Sequence, residues 1–231
     1  MTTTLITGAN KGLGREAARQ LIAAGHTVYI GSRDEQRGKE TAGQLGVRLL
    51  VIDVTSDESV QAAAEQVRQE AGRLDVLVNN AGIAGGRQAP ADVTAADVQA
   101  VYDTNVFGVV RVTHAFLPLL QASDAPVIVN VSSGLGSLAV TTNPERMESR
   151  FPTLAYSSSK AAVNMLTSQY AKAFPAIRIN VVDPGYTATD LNANSGTQTI
   201  GEGAEVIVRM AQIGPDGPTG AYFDRHGTVP W

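Results

Sequence analysis

Short runs rich in apolar and β-branched residues alternate with longer stretches of helical period along the whole chain. The strand-like runs are Thr4–Thr7, Thr27–Gly31, Leu49–Asp53, Val76–Asn79, Val127–Val131 and Ile179–Val182. Most are apolar on both faces, as strands covered by helices above and below have to be. Between them the spacing predicts helices over Leu13–Ala24, Glu58–Ala71, Ala95–Leu120 and Ala155–Ala173. This βαβ rhythm predicts an α/β protein with a parallel sheet. The Pro/Gly-rich stretch from Gly214 to Trp231 holds one last short strand around Ala221–Phe223. No repeat, low-complexity segment or linker interrupts the 231 residues, so one domain over 1–231 is expected.

Composition narrows the function classes. With 43% hydrophobic residues there is material for a sizeable core, while a formal charge of -4 and a pI near 5.4 give no basic field for nucleic acid or an anionic membrane. The chain has no Cys, which removes disulfides, thiolate metal sites and a cysteine nucleophile. His26, His114 and His226 are far apart in sequence, and no metal site is expected. The start of the chain has neither the charged nor the apolar region of a signal peptide, and no apolar run reaches the ~20 residues of a membrane span. A soluble, cytoplasmic protein is the expectation.

Directly after the first strand comes Thr7-Gly8-Ala9-Asn10-Lys11-Gly12-Leu13-Gly14, and a helical pattern begins at once. Glycines there allow backbone N–H groups to approach a pyrophosphate at a helix N-terminus. The spacing is GxxxGxG rather than GxGxxG. At the end of the second strand an acid would accept a ribose 2′-OH, whereas an arginine accommodates a 2′-phosphate. Here the strand leads into Ser32-Arg33-Asp34, so Arg33, with Lys11 near the same ribose, predicts NADP(H) over NAD(H). Asp34 is either the ribose acceptor or a helix N-cap. Asp53 and Val54 either hold an adenine or begin the next helix. In Asn79-Asn80-Ala81-Gly82, buried amides can tie strands together, and the small Ala81 and Gly82 leave room for a flat ligand.

Tyr156 and Lys160 lie four residues apart in Tyr156-Ser157-Ser158-Ser159-Lys160. On a helix they share a face, and a cation beside a phenol lowers the cost of its losing a proton. The pair is a candidate proton donor and acceptor. Such spacing also arises by chance in many helices.

TGANKGLG at the start, NNAG at 79–82, NVSS at 130–133, YSSSK at 156–160 and DPG at 183–185 resemble, in order and spacing, the short-chain dehydrogenases/reductases. The resemblance covers essentially the whole chain. It implies a Rossmann-type doubly wound parallel sheet of about seven strands in the order 3-2-1-4-5-6-7, a nicotinamide dinucleotide and a small-molecule carbonyl or alcohol substrate. Carried over residue by residue, Tyr156 would be the general acid and base, and Lys160 would lower its pKa and bind the nicotinamide ribose. Ser133 would polarise the substrate carbonyl, selected over Ser132 by the family's serine followed at the third position by glycine, here Gly136. Asn105 would hold a water in a proton relay. Pro184, Gly185, Thr187 and Thr189 match PGxxxT, which fixes the nicotinamide carboxamide; a plain turn is the other reading.

The chain departs from the family in one respect. Ser133 and Tyr156 are 23 positions apart, 156 minus 133, more than in most members. The excess falls in a polar stretch at 138–152, expected as a loop or short helix at the mouth of the site, with 190–200 as a second substrate loop. A related insertion occurs in the carbonyl-reductase branch. Asn10-Lys11, Ser32-Arg33-Asp34, the short segment after Thr189 and the ending Val229-Pro230-Trp231 agree with that branch. The resemblance thus implies an NADPH-dependent carbonyl reductase, with an NAD(P)-dependent alcohol dehydrogenase and a non-catalytic NADP(H) sensor as alternatives. In much of the family the Tyr/Lys helix also builds an oligomer interface. An insertion beside it can obstruct that packing, which leaves both a monomer and a homo-oligomer open.

Overall fold

A computed structural model describes residues 1–86 and 88–231. Seven strands, β1 (Thr3–Ile6), β2 (Thr27–Ser32), β3 (Arg48–Val51), β4 (Val76–Asn79), β5 (Val127–Val131), β6 (Arg178–Val182) and β7 (Tyr222–Phe223), form one sheet in the order β3-β2-β1-β4-β5-β6-β7. Every neighbouring pair is parallel. The direction of winding reverses between β1 and β4, and a doubly wound sheet opens a crevice there at its C-terminal edge.

The helices are α1 (Gly12–Ala23), α2 (Glu35–Leu45), α3 (Asp57–Ala71), α4 (Ala95–Tyr102), α5 (Gly108–Gln121), α6 (Leu138–Thr141), α7 (Leu154–Ala173) and α8 (Ile200–Ala211). Strand alternation divides the core between the two faces of the sheet. Leu5, Leu77 and Ile128 pack with Val60 and Val67 of α3 and with Val112 and Phe116 of α5. Their neighbours Ile6, Val78 and Val129 turn the other way, onto Ala17 and Leu21 of α1 and Val206 and Ile207 of α8. A side chain of this size contributes ~1.5–3 kcal/mol when fully buried, so strands apolar on both faces hold both helical layers.

The strand order is the expected one, and the strand ends agree to within two residues. Three helical features differ. The span Ala95–Leu120 is not one helix: a π turn over Asp103–Phe107 separates α4 from α5. Two further helices were not visible in the apolar pattern. The surface-lying α2 buries only Gly38, Thr41 and Ala42. α8 follows a polar segment and is announced by a reciprocal capping box between Thr199 and Glu202 rather than by a strand before it. The insertion folds as α6 and a 3-10 turn over Met147–Arg150, joined by irregular chain.

Candidate active site

At the C-terminal edge of the sheet a cleft of about 1360 Å³ runs from the glycine turn, across the ends of β4, β5 and β6, to the insertion. The turn is built for close approach. Gly8 and Gly12 have φ of +62° and +55°, and a Cβ on Gly8 would lie 2.9 Å from the Ala81 Cα. A Cβ on Gly14 would meet the Ala9 Cα and the Gly8 carbonyl at 2.9 Å, so α1 can start this close to β1 only on glycine. Among the described residues no side chain caps the start of α1. Its first N–H groups, on a cleft wall formed by Asn10, Lys11, Gly12, Leu13 and Gly14, suit the pyrophosphate of a dinucleotide.

The turn is braced from β4. Thr7 Oγ1 accepts from the N–H groups of Asn80 and Ala81, both at 3.0 Å, and Asn80 Nδ2 donates to the Thr7 carbonyl at 2.8 Å. Asn80, Ala81 and Gly82 line the cleft. Asn79 does not, contrary to its expected place at the cofactor. Alternation turns it inward, where Nδ2 donates to Asn130 Oδ1 at 2.8 Å and to Thr113 Oγ1 at 3.3 Å. Ser32 is likewise buried short of the cleft, its hydroxyl donating to the Asp34 carbonyl at 2.8 Å.

Asp34 is an N-cap: its carboxylate accepts from Arg37 N–H at 3.0 Å at the start of α2. Arg33 is exposed on the cleft wall and has no ion-pair partner among the described residues. Lys11 also lines the cleft, but it reaches across to Asp190 at 3.0 Å. Asp53 lines the cleft beside Val54 and caps no helix, since Ser56 performs that role for α3. Burial works to raise the Asp53 carboxyl, but the Thr55 N–H and hydroxyl, with the charges of Arg33 and Arg111, hold it below its usual range.

At the other end, Ser133, Tyr156 and Lys160 line the same cleft. Tyr156 and Lys160 stand one turn apart on α7, and the Lys160 Nζ lies 5.6 Å from the centroid of the Tyr156 ring. Gly136 lets α7 approach β5, since a Cβ there would lie 2.7 Å from the Lys160 carbonyl carbon. Ser133 Oγ accepts from Leu135 N–H at 3.2 Å, while Ser132 turns back and donates to the Lys160 carbonyl at 3.2 Å. Ser132, which also borders the cleft, thus commits its hydroxyl proton to the backbone.

The electrostatics differ from the expectation that Lys160 depresses the tyrosine. Part of the Tyr156 side chain stays accessible, yet burial, with the negative charge of Asp183 adding to it, pushes the phenol up to about 12 against an opposing hydrogen bond from Ser133. Burial pulls Lys160 down to about 8. The residue is 5% exposed, and its ammonium donates to the Val131 carbonyl at 2.8 Å, facing the ring and not bonding the hydroxyl, so desolvation outweighs mutual attraction.

Asn105 sits one layer behind the cleft, 1% exposed, in the π turn. Its Oδ1 accepts from Ile83 N–H at 2.9 Å, and its Nδ2 donates to the Ile83 carbonyl and to Ser159 Oγ, both at 3.0 Å. The amide is engaged with the protein itself, which makes Asn105 a brace between the β4 loop and α7 rather than a lining residue. At the end of β6, Pro184 and Gly185 line the cleft, Gly185 with φ of +73°. Thr187 is buried, its hydroxyl donating to the Pro184 carbonyl at 3.0 Å, and Thr189 opens a 3-10 turn through a capping box with Asn192.

Several lining residues had no separate signal in the sequence. Phe151 of the insertion and Tyr186 pair across the cleft mouth with ring centroids 6.2 Å apart. Glu148 and Asp183 face Gly134: a Cβ there would stand 3.0 Å from Glu148 Oε1 and 2.9 Å from Asp183 Oδ2.

A glycine turn at the switch point of a doubly wound sheet, with a serine, a tyrosine and a lysine gathered across the cleft, defines a dinucleotide-dependent oxidoreductase. Residues 2–200 match the family described as short chain dehydrogenase, and the chain belongs to it. A (+)-neomenthol dehydrogenase of Capsicum annuum is 31% identical over 96% of this chain and 95% of its own. An NADPH-bound carbonyl reductase from chicken fatty liver superposes with a TM-score of 0.89 at 25% identity, covering 100% of this chain and 99% of the other. A 3-ketoacyl-(acyl-carrier-protein) reductase of Brucella melitensis, complexed with NADH, gives 0.86 at 25% identity, over 97% and 96% of the two chains. The protein is therefore an oxidoreductase acting on carbonyl or alcohol groups, of a family that uses a nicotinamide cofactor. Among the described residues no helix is long and apolar enough to cross a membrane.

Proposed function

We propose that the protein is an NADPH-dependent carbonyl reductase that converts an aldehyde or ketone to the alcohol, with Tyr156 as the proton donor. The observation that carries this reading is the meeting of Ser133, Tyr156 and Lys160 in the cleft whose other end is the glycine turn. The cradle at Gly8 and Gly14 and the first N–H groups of α1 fit the pyrophosphate, Ala81 and Gly82 leave space for flat rings, and Arg33, with no ion-pair partner among the described residues, suits a 2′-phosphate. When bound, the dinucleotide supplies the hydride.

The chain's own groups do the rest. Ser133 can donate its hydroxyl proton to the substrate oxygen, since its own Oγ is already held by Leu135 N–H. Tyr156, which retains its proton well above neutral pH, transfers it to the oxygen as negative charge develops there. Lys160 places a cation behind the phenol and would hold the nicotinamide ribose, its Nζ lying on the side of Gly82, where a Cβ would stand 3.6 Å from it. Pro184, Gly185, Thr187 and Thr189 shape the carboxamide end. The segments 138–152 and 190–200 border the substrate, with Phe151 and Tyr186 as its apolar walls.

Replacing Tyr156 by Phe tests the reading. Carbonyl-dependent NADPH oxidation should fall by about 10²–10⁴-fold, the range for loss of a general acid, with NADPH binding by fluorescence titration nearly unchanged. Retained turnover would refute the assignment.

A further inference from the structure

The three groups assigned to the reaction come from two elements. Tyr156 and Lys160 stand on α7, whereas Ser133 opens the 3-10 turn over Gly134–Gly136 that follows β5. Their mutual spacing depends on how that turn sits on the helix. Three bonds fasten the end of β5 to α7: Asn130 Nδ2 donates to Thr167 Oγ1 at 2.9 Å, Lys160 Nζ to the Val131 carbonyl at 2.8 Å, and Ser132 Oγ to the Lys160 carbonyl at 3.2 Å. All three lie before Ser133 in the chain. Beyond the serine, two of the turn's three residues are glycines, so side-chain packing does little to hold it.

Asn164 reaches that turn from the helix. It lies one helical turn after Lys160 and two after Tyr156, so the three share a face of α7. The residue is 4% exposed, and its Nδ2 donates to the Gly136 carbonyl at 3.0 Å. Gly136 N–H in turn donates to the Ser133 carbonyl at 2.7 Å, which completes a chain of contacts from α7 back to the serine. Because a carbonyl only accepts, the amide nitrogen has to face it. Asn164 Oδ1 is then buried with no hydrogen-bond partner among the described residues. An unpaired acceptor in the interior is unfavourable, and an apolar side chain of the same size would fill the place without one. The bond to Gly136, not packing, accounts for an asparagine here.

We propose that Asn164 is a positioning residue for the reduction: by holding the Gly136 carbonyl it fixes the Ser133 turn on α7, and so keeps the serine hydroxyl and the Tyr156 phenol at a separation that one substrate oxygen can bridge. The inference rests on the reading of Ser133 as the group that polarises the carbonyl. Asn164 is not a lining residue of the cleft, so it acts through the turn and not on the substrate. Small displacements of a group at the reacting centre are costly in rate even when their origin lies outside the site.

Asn164→Leu keeps the size of the side chain and removes the donor. With phenanthrenequinone as the carbonyl probe and saturating NADPH, kcat should fall by about 10–10²-fold, the effect of a small misplacement at the reacting centre, while the Kd for NADPH stays unchanged in fluorescence titration. In a Ser133→Ala background the same substitution should change kcat by less than about twofold, because the group it positions is already gone. Hydrogen exchange of the full chain, read by mass spectrometry, should quicken in the peptide that contains Ser133–Ser137 and stay as it was over β5. An equal fall in kcat in both backgrounds, or an unaltered exchange of the turn, overturns Asn164 as a positioning residue. Full turnover in Ser133→Ala alone overturns the serine instead, which separates the two claims. Should Asn164→Leu not fold, Asn164→Ala, which removes the same donor with less bulk, is read in the same way.

Discussion

Arg33 leaves β2 with its side chain on the cleft wall near Asp53, whereas Lys11 spans the cleft to Asp190 at 3.0 Å. The Lys11–Asp190 pair is 57% and 66% exposed, a setting in which an ion pair contributes little. The proposed NADP(H) preference therefore stands on Arg33. Arg33→Ala should raise the KM for NADPH about tenfold or more, the size of a lost charge-assisted contact, and leave the KM for NADH nearly unchanged. Steady-state kinetics with both cofactors check this, and equal effects on the two would sink the assignment. At this scale residue types were legible and directions were not. Asn79 and Asn80 are indistinguishable as letters, yet one ties β4 to β5 and the other braces the glycine turn. Ser132 and Ser133 differ in direction too, the first donating to the Lys160 carbonyl and the second accepting from Leu135 N–H, but there the family's spacing already selects Ser133.

Among the elements, α8 is fixed at its start by a reciprocal capping box. Thr199 Oγ1 accepts from Glu202 N–H at 3.2 Å, and the Glu202 carboxylate accepts from Thr199 N–H at 2.9 Å. Beyond that turn α8 packs on α1: a Cβ on Gly203 would lie 2.8 Å from Leu13 Cδ2. Thr199→Ala should cost about 1 kcal/mol, as loss of an N-cap does, seen as a lower urea midpoint with an unchanged slope. Because α8 supports the helix that carries the glycine turn, a larger loss would show that the segment before α8 unravels too. The π turn at Asp103–Phe107 is a different case. Apolar spacing continues through it, so the sequence reads as one helix, and only the packing of Asn105 between Ile83 and Ser159 shows where the extra residue is accommodated.

Over the whole molecule, burying Lys160 leaves a mark on stability. Its value falls from 10.5 in the unfolded chain to about 8 in the fold, so below pH about 8 both states hold the proton and folding bears the cost of a buried ammonium. From there up to 10.5 the unfolded chain holds more protons, and this group's contribution to stability rises with pH. Tyr156 acts oppositely and later: from pH 10 toward about 12 the unfolded chain loses its proton first, and stability falls. Lys160→Met should flatten the rise between pH 8 and 10 in urea midpoints, and an unaltered slope there would show that the ammonium is better solvated than its burial implies.

The alternation of apolar runs, with NNAG, YSSSK and DPG in register, by itself determined the family, the parallel sheet and the residue types of the site. These depend on local period and on motifs short enough to read along the chain. Only the tertiary structure decided which of two adjacent asparagines lies along the cleft, that Lys11 meets Asp190 across 179 positions, and that the Lys160 ammonium is buried against the Val131 carbonyl. Those outcomes depend on strand register, on the side of the sheet to which each residue alternates, and on burial. All three are set by contacts between segments distant in sequence, so no local pattern carries them.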